Sequence, residues 1–314
     1  MANVIKAGVA GVGYLGRFHA QKYAALPDSE LVGVFDASPE RCKEVADELG
    51  VTAFESLADM IEQVEVVSVA ATTSAHFEVG KQCLEAGRHV LIEKPISPTV
   101  GEAEELVRLA DKHEVILQVG YLERFNPAFL KCVDKIDKPQ FIEAIRIASF
   151  LERGADVDVV LDLMSHDLDL VLSIAKAPVK ELHAVGMSLM TDSTDLANVR
   201  IIFEDGCVAN MTASRISNKI ERKLRVFQQD SYFSLDFAEP SARIIERVGE
   251  GQSADSFSGE RIQLEKADAL LAEIGAFLQA VRGECPPAVS GWDGLRAMRV
   301  AESVMADIAK NKLP

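Results

Sequence analysis

The segment GVAGVGYLG, residues 8–16, constrains this chain more than any other. It sets Gly11, Gly13 and Gly16 between an apolar run, NVIKAGVA, and a helical pattern that begins near Tyr14. Glycine gives up more backbone freedom on folding than any other residue, so three at fixed spacing in a strand-to-helix turn need a reason. In the spacing G-x-G-x-x-G, Gly11 makes the tight turn, Gly13 lets the backbone approach a pyrophosphate, and Gly16 lets the helix pack close to the strand. The first helical amides, those of Tyr14 and Leu15 among them, then face the phosphates. Glycine triplets also occur in ordinary strand-to-helix turns, and Asp36 sharpens the choice. It ends the run ELVGVFD, 20 residues after Gly16, where an acid hydrogen-bonds the adenosine ribose and repels a 2′-phosphate. The pattern points to NAD in preference to NADP, with Arg41 the one dissenting feature. Without the glycines, Asp36 would read as a plain strand-end turn residue.

Up to about residue 120 the alternation continues: VEVVSVAA, a helical pattern over 75–86, RHVLIEKP, the helical VGEAEELVRLADKH and VILQVG. Strands alternating with helices imply right-handed crossovers and a parallel sheet of about six strands. A Rossmann fold is therefore expected over residues 1–121. The helix predicted from Pro39 to Leu49 is well punctuated, with Ser38 as N-cap, Pro39 in the first turn and Gly50 just past the end. After residue 121 the texture changes. FIEAIRIASF, ELHAVGMSLM, ANVRIIFEDGCVANMTASR, KLRVFQQDSYFSLDF and ARIIERV read as strands in close succession, with EDG at 204–206 a hairpin turn. The expectation for 122–314 is an α+β domain with a largely antiparallel, open-faced sheet. Helices are predicted over VVLDLMSHDLDLVLSIAK, 268–282 and about 291–311, the last packing back on the Rossmann domain. GEGQSADSFSGE, residues 249–260, reads as an exposed loop. An uncovered sheet face suits self-association, so a homodimer or homotetramer is expected.

Bulk properties exclude several functions. The 314 residues suffice for two cores, and 48% apolar with 26% charged residues is ordinary for a soluble protein. No apolar run approaches the roughly 20 residues of a membrane span. The N-terminus lacks a signal-peptide pattern, so a cytoplasmic location is expected. A net charge of −16 argues against broad nucleic-acid binding. Five scattered cysteines without a C-x-x-C pair read as reduced thiols.

Three features together resemble the Gfo/Idh/MocA oxidoreductases: the glycine loop with Asp36, the tripeptide Glu93-Lys94-Pro95, and Asp162 followed four residues later by His166. The resemblance runs along essentially the whole chain, including YLERFNP and the final helices. It implies that Thr72, His76, Glu93 and Lys94 meet the cofactor, that the bond before Pro95 is cis, and that His166 is the acid/base. Lys94 would hold substrate and nicotinamide, and Asp162 would orient the imidazole or bind a sugar hydroxyl. The chemistry agrees, because alcohol oxidation needs a proton acceptor and a hydride acceptor at one carbon. At helical spacing Asp162, His166 and Asp169 form a polar stripe opposite Leu161, Leu168, Val171 and Leu172. On an isolated helix such a stripe is most often a solvated face. A metal reading of D-x3-H-x2-D lacks a second histidine, so no metal is expected. His19, His89, His113 and His183 read as structural. The loop ATTSAH departs from the family in having Thr73 where a proline is common.

The segments GYLERFNP and DLMSHDLD look most like the branch of the family that oxidises nucleotide-linked amino sugars, such as UDP-N-acetylglucosamine at C3. That likeness implies Arg124, Asn126 and Arg215 as sugar or pyrophosphate contacts, although such arginines also make structural ion pairs. The alternatives are a dehydrogenase of a free sugar or inositol, or a noncatalytic NAD-binding sensor. The joint presence of Lys94, Asp162 and His166 favours an enzyme.

Overall fold

The computed structural model describes residues 4–150, 157–250 and 256–311. Contacts group these into two compact units. One holds the described residues through Leu122 together with Asp268–Met298, and the other holds Glu123–Ala267 with the described residues from Arg299 on.

In the first unit β1 (Ile5–Ala10), α1 (Tyr14–Ala25), β2 (Ser29–Phe35), α2 (Pro39–Leu49), β3 (Thr52–Ala53), α3 (Leu57–Gln63), β4 (Val66–Val69), α4 (Thr73–Glu85), β5 (His89–Glu93), α5 (Val100–His113) and β6 (Leu117–Gly120) follow one another. The strands are parallel in the order β3-β2-β1-β4-β5-β6. The order reverses between β1 and β4, and ligands of such sheets bind at the carboxyl ends beside that reversal. All of β4 is buried, as expected of a strand covered on both faces. The capping chemistry of α2 is as predicted: the Ser38 side chain accepts the Arg41 amide, and Gly50 takes φ 68°. The two-residue β3 is too short to show an alternating pattern in sequence.

A 3-10 turn at Leu122–Phe125 leads into the second unit, which contains α6 (Pro127–Cys132), β7 (Phe141–Ile147), a π-helical turn at Val160–Met164 that runs into α7 (Ser165–Ala175), β8 (Val179–Met187), β9 (Leu196–Phe203), β10 (Val208–Ser214), β11 (Glu221–Gln228), β12 (Ser231–Asp236), β13 (Ser241–Arg247) and β14 (Phe257–Gln263). Its sheet has the order β14-β13-β12-β11-β7-β10-β9-β8, and only the β7–β10 pair is parallel. Burial alternates along β7 and β10, so one face is packed and the other open. The turn at 204–206 closes the β9–β10 hairpin, with Gly206 at φ 88°.

One expected loop is corrected. Residues 257–260 open β14, which pairs with β13, while 251–255 lie outside the described residues. This edge strand is exposed along most of its length, so it carries no apolar alternation to betray it.

The chain closes with α8 (Ala269–Val281) and α9 (Gly291–Lys310). Helix α8 does not belong with the residues before it, as a division at 121/122 implied; it groups with the first unit. Its Ile274, Phe277 and Leu278 join one buried cluster with Ile5, Ala7 and Val9 of β1 and Ala20 and Tyr23 of α1. Burying each of Ile274, Phe277 and Leu278 stabilises by roughly 1.5–3 kcal/mol. The last helix is shared between the units. Through Met298 it groups with the first, where Gly294 fits because a Cβ would stand 2.6 Å from Val119. From Arg299 it groups with the second, where Asp307 accepts the Ala184 amide at 2.7 Å. Among the described residues no helix is long and apolar enough to cross a membrane.

Candidate functional site

The three glycines divide by what demands them. Gly11 takes φ 85°, and a Cβ on it would overlap the backbone of Ala71. A Cβ on Gly16 would overlap the carbonyl oxygen of Gly11, which is the close helix-to-turn packing the spacing predicts. At Gly13, the N-cap of α1, a Cβ would meet nothing within 4 Å. The fold needs the first and third glycines, whereas the second leaves open a cradle that a pyrophosphate can fill. Gly16→Ala is expected to cost about 3 kcal/mol of stability. Gly13→Ala should melt like the parent while binding NAD at least about tenfold more weakly. Thermal melts and NADH fluorescence titration separate the two outcomes.

Asp36 and Arg41 bracket the same loop. One Asp36 oxygen accepts the Val12 amide at 2.7 Å and the other accepts the Ser38 amide at 2.9 Å. Arg41 donates to the carbonyls of Val12 at 2.8 Å and Gly13 at 3.4 Å, and to Glu44 at 2.8 Å. Tyr14 and Leu15, in the first turn of α1, are exposed. Thr73 is the first residue of α4, and Thr72 before it is extended. Those are the positions a proline and its predecessor would take, so the missing proline leaves the helix start intact.

His76 was expected at the dinucleotide, and the structure turns it inward. It is 1% exposed, with its ring nitrogens 2.8 Å from the Pro95 carbonyl and 3.1 Å from that of Ala71. Burial pulls its pKa below the ordinary histidine value, against the opposite pull of the two carbonyls. It clamps the turn after β5 to the turn after β4. Glu93 is also buried, its carboxylate 2.9 Å from His19 Nε2. His19 Nδ1 lies 3.2 Å from Ser68 Oγ, which lies 3.0 Å from the Tyr23 hydroxyl. This chain of buried polar groups runs from α1 through β4 to the residue beside Lys94. Sequence reading missed it; the one available signal was His19, three residues past Gly16 and so on the face of α1 turned to the sheet. Lys94 follows Glu93 at the carboxyl end of β5, and its bond to Pro95 is cis.

In the second unit Asp162 lies within the π turn and His166 in the first turn of α7, both half-buried. The expected polar stripe is not what forms. Asp169 is 1% exposed and takes a bidentate pair from Arg124, at 2.6 and 2.8 Å. Asp167, which sequence reading passed over, is equally buried and takes a bidentate pair from Arg146, at 3.0 and 2.8 Å. A third Arg146 nitrogen reaches Glu123 at 2.8 Å. Burial raises the Asp167 carboxyl above its usual range in spite of Arg146. Two causes defeat the stripe: the π turn breaks the 3.6-residue period at 160–164, and α7 is buried on nearly all sides.

Asn126 caps α6, accepting the Ala128 amide at 3.1 Å and donating to the Phe237 carbonyl at 3.2 Å. Arg215 is buried and donates to Asp195 at 2.8 Å, the Val157 carbonyl at 2.6 Å, Thr191 at 2.9 Å and Ser193 at 2.7 Å. For Arg124 and Arg215 the geometry is thus that of structural ion pairs. Burial alone would raise Asp195, but the amides of Leu189, Met190 and Thr191 and the Arg215 guanidinium outweigh it and hold the carboxyl well below the usual range. A carboxyl depressed in the folded state adds stability above its unfolded pKa and loses it as pH falls. Asp195→Asn should therefore be about 3 kcal/mol less stable at pH 7, the gap narrowing below about pH 4. Melts across pH check this. Among the described residues, no three His, Cys, Asp or Glu side chains gather as a metal site would.

Residues 5–121 match the family model described as an oxidoreductase family, NAD-binding Rossmann fold, and residues 154–314 match that family's C-terminal alpha/beta domain. The chain is 40% identical over 303 residues, 96% of each chain, to UDP-N-acetylglucosamine 3-dehydrogenase of Acidithiobacillus ferrooxidans. A solved structure of that enzyme superposes with a TM-score of 0.92 over 99% of both chains. Myo-inositol 2-dehydrogenase of Thermotoga maritima is 28% identical over 94% of this chain and 93% of its own. A scyllo-inositol dehydrogenase from Lactobacillus casei, solved with NAD(H) and scyllo-inositol, shares the fold with a TM-score of 0.81 at 20% identity, over 98% of both chains.

Proposed function

Since the chain belongs to the Gfo/Idh/MocA oxidoreductase family, we propose that it is an NAD-dependent dehydrogenase oxidising a secondary alcohol of a nucleotide sugar, with UDP-N-acetylglucosamine at C3 the substrate it fits best. The observation that carries the substrate is the 40% identity, across almost the whole length, to an enzyme named for that reaction. The glycine loop and Asp36 hold the dinucleotide. Asp36 repels a 2′-phosphate, and Arg41, which argued for NADP, is engaged by two loop carbonyls and Glu44, which supports NAD.

When bound, the nicotinamide supplies the acceptor for the hydride that leaves the alcohol carbon. His166 takes the hydroxyl proton, a role suited to imidazole because its ordinary pKa lies near neutrality. The Lys94 ammonium stabilises negative charge growing on the same oxygen, and Asp162 orients the imidazole. The products are the ketone, NADH and a proton. Arg124, Asn126 and Arg215 have no part in substrate binding in this reading. The open face of the eight-stranded sheet is the surface proposed for self-association, which light scattering measures.

Purified protein with NAD and UDP-N-acetylglucosamine should raise absorbance at 340 nm, and NADP should support a much lower rate. Reduction of NAD by myo-inositol or a free sugar alone would reassign the substrate. NAD binding without turnover of any sugar would leave a sensor.

A further inference from the structure

The segment that carries Asp162 is held at both ends. On the upstream side the Asp158 side chain accepts the Val160 amide at 2.9 Å, and its carbonyl accepts the amides of Leu161 and Asp162 at 3.0 Å. Downstream, Asp167 and Asp169 are locked to Arg146 and Arg124. The register between these anchors is decided within 160–165, where the chain is wound as a π turn.

At the end of that turn the Ser165 amide donates to the Val160 carbonyl, five residues back. In an α-helix it would donate to Leu161, four back. The Ser165 hydroxyl reaches the Leu161 carbonyl at 2.7 Å, and Ser165 is buried. Serine often bonds the i−4 carbonyl of an ordinary α-helix, where that carbonyl also has its amide donor. Here the hydroxyl stands in for the amide, which has gone elsewhere. We propose that Ser165 is a positioning residue: its hydroxyl keeps the wide turn before His166 open and so sets where Asp162 stands relative to the imidazole. Collapse to α register would swing Asp162 by up to about 100° around the helix axis relative to His166. The inference rests on the roles given above to Asp162 and His166.

Ser165→Ala should lower kcat at least tenfold with the KM for NAD within about twofold, and its crystal structure should show 160–164 rewound as α-helix. Ser165→Thr, which can make the same back-bond, should keep near-parental kcat. Parental kcat with an intact π turn in the alanine variant overturns the inference, and so does a threonine variant as impaired as alanine. Should the alanine variant fail to fold, threonine is compared with Ser165→Cys, whose thiol is a weak donor; equal kcat in the two overturns it. His166→Asn, run alongside, tests the underlying reading separately. If that variant stays active the role of His166 falls, while the alanine structure still reports whether the hydroxyl holds the turn.

Discussion

Replacing Lys94 with Met or His166 with Asn is expected to lower oxidation of UDP-N-acetylglucosamine by roughly 10²- to 10⁴-fold, the range a positioned acid or base contributes, with NAD binding retained. Methionine keeps the reach and apolar stem of lysine and removes the ammonium. It sits beyond Glu93, whose carboxylate stays with His19, so β5 and the glycine loop keep their structure. Asparagine retains polarity at 166 but cannot carry a proton between substrate and solvent. Stopped-flow at 340 nm and NADH titration measure turnover and binding independently. Full activity in either variant removes that residue from the chemistry; loss of NAD binding in the asparagine variant would mean a structural defect instead.

The second large effect concerns stability. Arg146→Leu is expected to cost about 3–5 kcal/mol, because it leaves Asp167 and Glu123 buried without their shared cation. That corresponds to a fall of roughly 10 °C in Tm. The direction with pH follows from Asp167, whose carboxyl is already held above its usual range by burial. Without Arg146 it is held higher still, so the folded state binds a proton more readily than the unfolded one. The defect is then greatest above the folded pKa and eases as pH falls. Arg146→Leu/Asp167→Leu should recover part of the loss, since it removes the Asp167 carboxylate along with its cation and leaves only Glu123 without Arg146. A single variant that melts like the parent would show that the pair contributes little.

Much of the first unit was legible because its signals are local. The Gly11 turn, the Ser38 and Gly50 caps and the alternation of buried strands with helices each depend on residues a few positions apart. The 204–206 hairpin was legible for the same reason. Helix α8 shows where this ends. Its apolar side chains demand burial, but nothing in a 13-residue helix says that β1, more than 250 residues earlier, will cover them. Likewise β14 has a strand's pairing without a strand's pattern, because an exposed edge buries no face.

By itself the sequence determined the elements, the dinucleotide loop and the residue types able to move a proton, because each follows from backbone geometry or side-chain chemistry over short range. Tertiary structure alone decided which protein partner each polar side chain that could meet a ligand takes. Arg124, Asn126, Arg215, His76 and Glu93 all carry groups that could bind one, yet each is engaged by a partner whose identity only the fold reveals. The reason is physical: a buried charge or amide must find its hydrogen bonds inside the protein, and which neighbour supplies them depends on packing between segments far apart in the chain.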